Sequence, residues 1–158
     1  MKRILLVCTA NICRSPIAAG LLRARLATAG LAEGVEVRSA GVQALVGERA
    51  SPVGVALLAT RGIDISRHVA SSVTEDDLQQ ADLVLVMSER HRQSLFHYSP
   101  ADLYKVLLLS ELVYKQFDIA DPYGQSKATY AATIALIDRI FERGWANLLE
   151  RVEGKSNG

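Results

Sequence analysis

The chain has 158 residues, eighteen lysines and arginines against seventeen aspartates and glutamates, and 49% hydrophobic side chains. That is enough for one domain with a real core, and the near-neutral charge, with no basic block or stripe, excludes the usual electrostatic footprint of a nucleic-acid binder. No apolar run is long enough to cross a bilayer, so no membrane insertion is expected, and two closely spaced cysteines, Cys8 and Cys13, cannot staple a distant framework, which points to a reducing cytoplasm.

The opening segment "MKRILLVC" has the positive start of a signal peptide, but its apolar run is short and no small-residue cleavage site follows. "RILLV" at 3–7 reads instead as a strand buried on both faces. From Pro16 onward, Ala18, Leu22, Leu26 and Ala29 recur at helical spacing until Gly30. "VEVRS" at 35–39 predicts a second strand, followed by a loop of small residues at 40–51. Ser51 and Pro52 open a helix running to about Arg61, and "TEDD" at 74–77 opens a short one. "ADLVLVM" at 81–87 and "LYKVLLL" at 103–109 predict two more strands with a helix between them. The last helix is predicted as one long element from about Ser126 to Arg151, with Tyr130, Ile134, Ile137, Phe141 and Leu148 on one stripe. The domain thus covers 1–153, and 154–158 are expected to form a flexible tail. Alternation of strands and helices predicts an α/β, doubly wound, flavodoxin-like four-stranded parallel sheet with helices on both faces. Ligands of such sheets bind beyond the carboxyl ends of the strands, where Cys8 falls.

Between the first strand and the first helix lies Cys8-Thr9-Ala10-Asn11-Ile12-Cys13-Arg14-Ser15. A tight loop entering a helix turns successive backbone amides inward and makes an anion site backed by the helix dipole. Such a site suits a phosphate dianion and also favours a thiolate at Cys8, making it nucleophilic. The planar fork of Arg14 can hold two phosphate oxygens and stabilise the equatorial oxygens during attack on phosphorus. Ser15 can offer its hydroxyl to the Cys8 sulfur and help it leave. Taken singly, Cys8 is a buried apolar residue and Ser15 a helix cap; the combination at one strand-to-helix turn is what carries the chemistry.

"VCTANICRSPIA" resembles the phosphate-binding loop of the low-molecular-weight protein tyrosine phosphatases, with Ala10 where glycine is usual. "SAG" at 39–41, "RGIDISRHVA" at 61–70, "DLVLVM" at 82–87 and "DPYG" at 121–124 fall in family order. "QALVG" at 43–47, "SERHRQSL" and "ADPYGQS" look most like the bacterial branch associated with exopolysaccharide export. The resemblance implies hydrolysis of phosphotyrosine through a covalent phosphocysteine, with Cys8 as nucleophile, Arg14 as phosphate clamp and residues 9–15 of the loop as binding positions. It implies a tyrosine-phosphorylated protein as partner, a membrane-bound tyrosine autokinase for this branch.

Expelling a tyrosyl oxygen calls for a general acid, and Asp121, followed by Pro122 in the loop after the fourth strand, matches the family's acid. Asp118 is the nearby competitor but lacks the proline. Asn11 tolerates left-handed backbone geometry, and by resemblance holds the loop in shape with Ser39 and His68. Tyr123 is expected as one wall of a crevice, more open than in relatives with two tyrosines, and Leu45 as a second wall. Cys13 by resemblance is the partner that traps an oxidised Cys8 as a disulfide, against the plainer reading of a packing residue. His91 and His97, on a helix among polar residues, are expected to be solvated. No zinc-ligand spacing and no Walker-type loop is present, so no metal and no cofactor are expected. An arsenate reductase on the same fold would need further downstream cysteines, and a non-catalytic phosphate-binding module would need neither Cys8 nor Asp121.

Overall fold

The computed structural model describes residues 1–154; the expected tail, apart from Gly154, lies outside them. Four strands, β1 (Lys2–Cys8), β2 (Val35–Gly41), β3 (Leu83–Val86) and β4 (Val106–Leu108), form one parallel sheet in the order β2-β1-β3-β4. The helices are α1 (Arg14–Thr28), α2 (Pro52–Ala59), α3 (Glu75–Gln80), α4 (Glu89–Leu95), α5 (Lys127–Arg143) and α6 (Trp145–Val152). The predicted doubly wound α/β architecture is observed. Among the described residues, no helix is long and apolar enough to cross a membrane.

Strand β1 alternates between two cores. Ile4, Leu6 and Cys8 face a layer built from α1, α5 and α6, whereas Leu5 and Val7 face the side covered by α3 and α4. Because β1 connects outward to β2 while β3 lies on its other side, the winding reverses at β1. Its carboxyl end is therefore a crevice between diverging connections, with Cys8 opposite Gly41 in register and Val7 opposite Val86.

Two predicted elements are shorter than expected. The segment 103–109 yields only the three residues of β4, flanked by 3-10 turns at Pro100–Lys105 and Leu109–Val113. Pro100 opens the first turn, and Lys105 Nζ is drawn away to the Leu78 and Gln79 carbonyls (3.0 Å each). The single long C-terminal helix is two helices divided at Gly144. A Cβ at 144 would lie 2.8 Å from Leu112 Cβ and 2.9 Å from the Leu112 carbonyl, so the chain passes this point only as glycine. Asn147 Nδ2 then donates to the same carbonyl (3.2 Å). The apolar stripe survives the break, since Phe141 and Leu148 both reach the core.

Candidate active site

Helix α1 begins at Arg14, two residues before the predicted start, so the loop from Cys8 to Cys13 runs directly into its first turn. Every carbonyl of that loop is bonded away from the centre. Those of Cys8, Thr9 and Ala10 accept from the amides of Val42, Gln43 and Leu45 (3.0, 2.9 and 3.1 Å), and those of Ile12 and Cys13 accept from Ser51 and Ile17 (2.8 and 3.1 Å). The Asn11 carbonyl faces His68 Nε2 at 2.7 Å. With all six carbonyls turned outward, the amides of residues 10–13 find no protein acceptor among the described residues. A peptide unit with its oxygen held outside presents its N–H inside, which makes a ring of anion donors at the start of a helix.

Gly41 makes this packing possible, because a Cβ there would meet the Thr9 carbonyl at 2.5 Å. Asn11 pins the loop from within. Its φ of 62° is the left-handed region, and its fully buried side chain makes three bonds: Nδ2 donates to Ser15 Oγ (2.8 Å) and Ser39 Oγ (3.0 Å), and Oδ1 accepts from the Ser71 amide (3.0 Å). Ser39 and His68 thus both contact Asn11, one at its side chain and one at its carbonyl. Burial pushes the His68 imidazole below its ordinary pKa, so the ring is held neutral as part of the scaffold.

The candidate catalytic side chains converge on this loop. Cys8 Sγ lies 2.9 Å from Ser15 Oγ, and both are buried. Arg14 is 6% exposed; its Nη1 donates to the Ile119 carbonyl (2.9 Å) and its Nη2 to Thr9 Oγ1 (3.3 Å). Its Nε is buried and has no partner, an expensive state for a charged donor unless an anion meets it. Asp121 Oδ2 stands 3.7 Å from Arg14 Nη2, while its Oδ1 accepts from the Tyr123 amide (3.1 Å) across Pro122. Asp118 is used elsewhere, accepting from the Glu89 amide at the start of α4 (3.0 Å). Cys8, the loop, Arg14 and Asp121 line one cavity of about 90 Å³, with Leu45 and Tyr123 at its rim, 49% and 61% exposed. Those two are the walls of an open mouth. A larger groove of about 480 Å³ lies elsewhere, between α1 and α5; its Arg25 and Arg61 are neutralised by Asp138 (2.9 and 3.2 Å).

Cys13 is buried, and burial raises its thiol pKa above the ordinary value. Its sulfur lies 3.3 Å from Tyr130 Oη, which also bonds Ser51 Oγ (2.8 Å). Tyr130 is a part of the site that periodicity marks only as a core residue. Another is His91, expected to be solvated but only 1% exposed, its Nε2 2.8 Å from Thr9 Oγ1. Ser88 and His91 have the spacing of a helix capping pair, and that was the signal for its inward turn. His97 is exposed as expected.

The profile of the family described as "Low molecular weight phosphotyrosine protein phosphatase" matches residues 3–156. The probable low molecular weight protein-tyrosine-phosphatase EpsP of Ralstonia nicotianae is 42% identical over 139 residues, covering 88% of this chain and 90% of that one. Among solved structures, the low molecular weight protein tyrosine phosphatase from T. tengcongensis superposes with a TM-score of 0.85 at 39% identity, covering 90% of this chain and 97% of that one. The YwlE arginine phosphatase from Geobacillus stearothermophilus superposes with the same score at 34% identity, covering 97% of each.

Proposed function

The chain belongs to the low molecular weight phosphotyrosine protein phosphatase family, and on that premise we propose that it hydrolyses phosphotyrosine in proteins through a phosphocysteine on Cys8. The observation that carries this reading is the buried, unpartnered Nε of Arg14 beside the inward-facing amides of the loop. Together they offer donors to the equatorial oxygens of a phosphoryl group positioned over Cys8 Sγ.

In the first step the Cys8 thiolate attacks phosphorus, the P–O bond to the tyrosyl ring breaks, and Asp121 gives its proton to the departing oxygen. In the second, Asp121 takes a proton from water, the resulting hydroxide attacks phosphorus, and the P–S bond breaks to release inorganic phosphate. Ser15 Oγ, 2.9 Å from the sulfur, stabilises the thiolate as it leaves. Leu45 and Tyr123 flank the ring of the substrate.

The resemblance to the exopolysaccharide branch supports a finer reading, in which the substrate is the phosphorylated, tyrosine-rich tail of a membrane-bound autokinase. A cytoplasmic setting belongs to it, because the nucleophile works only as a reduced thiolate. The test is hydrolysis of a phosphotyrosyl peptide beside phosphoseryl and phosphoarginyl peptides, followed by a purified autokinase beside unrelated phosphotyrosyl proteins. Preference for phosphotyrosine and then for the autokinase is expected. Preference for phosphoarginine overturns the substrate class, failure to hydrolyse any phosphate ester leaves a binding module, and indifference to the autokinase overturns the partner.

A further inference from the structure

His91 stands outside the loop, on the first turn of α4, beyond the carboxyl end of β3. Its ring is sealed from solvent yet makes polar contacts at both nitrogens. Nδ1 receives the backbone amide of Ser88 at 3.1 Å, with the Ser88 hydroxyl at 3.2 Å. A backbone N–H can only donate, so Nδ1 must carry the lone pair and the proton must sit on Nε2. The contact of 2.8 Å to Thr9 Oγ1 therefore has His91 as donor and Thr9 as acceptor.

Thr9 Oγ1 also accepts from Arg14 Nη2 at 3.3 Å. A hydroxyl oxygen has two lone pairs, and here both face donors. It cannot turn away from Arg14 without abandoning one of them. Arg14 is thereby held at two points, Nη1 on the Ile119 carbonyl and Nη2 on Thr9, and this fixes the plane of the guanidinium with Nε left unpartnered.

We infer that His91 is a positioning residue for the phosphate site: as an obligatory Nε2–H donor it locks the Thr9 hydroxyl as an acceptor, and through it the orientation of the Arg14 fork. The role rests on Arg14 being the phosphate clamp. It also requires an uncharged ring, and burial, reinforced by the positive charge of Arg14 and Arg90 and only partly opposed by Asp118 and Asp121, holds the imidazole pKa down to about 4. The ring orients a cation without adding a charge of its own to the site.

The test compares His91→Leu, His91→Gln, Thr9→Val and the His91→Leu/Thr9→Val pair, reading kcat and KM for an aryl phosphate, the dissociation constant of inorganic phosphate, and thermal stability. Each of the first and third is expected to lower kcat and phosphate affinity by roughly tenfold, the loss of one hydrogen bond to a charged group's anchor, and the pair to lose no more than either alone. Glutamine, whose amide can donate to Thr9, is expected to restore most of the loss. Multiplying losses in the pair, or lowered thermal stability with kcat and phosphate affinity unchanged, overturns the role. Wild-type protein that neither hydrolyses aryl phosphates nor binds phosphate overturns the phosphatase reading and this one together; normal hydrolysis indifferent to both single changes overturns only the role of His91.

Discussion

The Asp121 carboxylate stands 3.7 Å from the Arg14 guanidinium, one group half exposed and the other nearly sealed. Its Oδ1 is tied to the Tyr123 amide, so Oδ2 is the oxygen free to carry a proton to a leaving group. Replacement by Asn is expected to slow the release of poorly activated phenols by on the order of a hundredfold or more, and strongly activated phenols much less. A series of aryl phosphates of graded leaving-group acidity measures this. Equal loss across the series would reduce Asp121 to a turn residue.

Cys8→Ser is expected to abolish turnover while phosphate binding, measured by calorimetry, persists, because the loop amides and Arg14 remain. Arg14→Lys is expected to cost about a hundredfold to a thousandfold in kcat. An ammonium on a flexible stem cannot span the Ile119 carbonyl and Thr9 while also meeting two phosphate oxygens.

A pH titration of stability reads His91 and His68. His91 titrates near 6.5 when unfolded and at about 4 when folded, so between those values the unfolded chain binds a proton that the native one refuses. Stability is full above 6.5 and falls as pH drops toward 4, by up to about 3 kcal/mol from this residue. His68, also depressed, acts in the same direction. Urea unfolding across this range should show the decline, and His91→Gln should flatten it.

Peroxide is expected to inactivate the enzyme reversibly through a Cys8–Cys13 disulfide, in which oxidation of Cys8 to a sulfenic acid is followed by attack of Cys13 and loss of water. Cys13 must first give up its proton, which burial disfavours and the hydrogen bond from the Tyr130 hydroxyl partly offsets. Tyr130→Phe, which removes that support for the thiolate, is accordingly expected to slow disulfide formation, and Cys13→Ser to prevent recovery by a dithiol. Mass spectrometry showing Cys8 as a sulfinic acid beside an unmodified Cys13 thiol would leave Cys13 a packing residue.

Much of this arrangement is legible in the order of residues, because the strand, the loop and the start of the helix are contiguous, and local chemistry puts Cys8, Arg14 and Ser15 on one turn. The left-handed turn at Asn11 is legible from its residue type, but its pairing with Ser39 and His68 only through resemblance, since nothing in their spacing brings the three together. What could not be read is set by contacts between distant segments. Gly144 looks like a tolerable residue within a helical period until Leu112 packs against it. The strand at 103–109 is apolar except at Lys105, yet the 3-10 turns at its ends take most of it. His91 lies among polar neighbours in the chain, but the first turn of α4 points it inward at Thr9.

Asn11 draws its partners from across 28, 57 and 60 residues of chain. A loop that looks local is therefore held by long-range contacts, and their closure entropy has to be met before the hydrogen bonds can hold it. During synthesis the thiol of Cys8 emerges well ahead of Ser39, His68 and Ser71, as an ordinary cysteine on an unshaped segment. Enzymatic competence arrives only when those segments dock, so it belongs to the finished chain, and a nascent one carries the nucleophile without the power to use it.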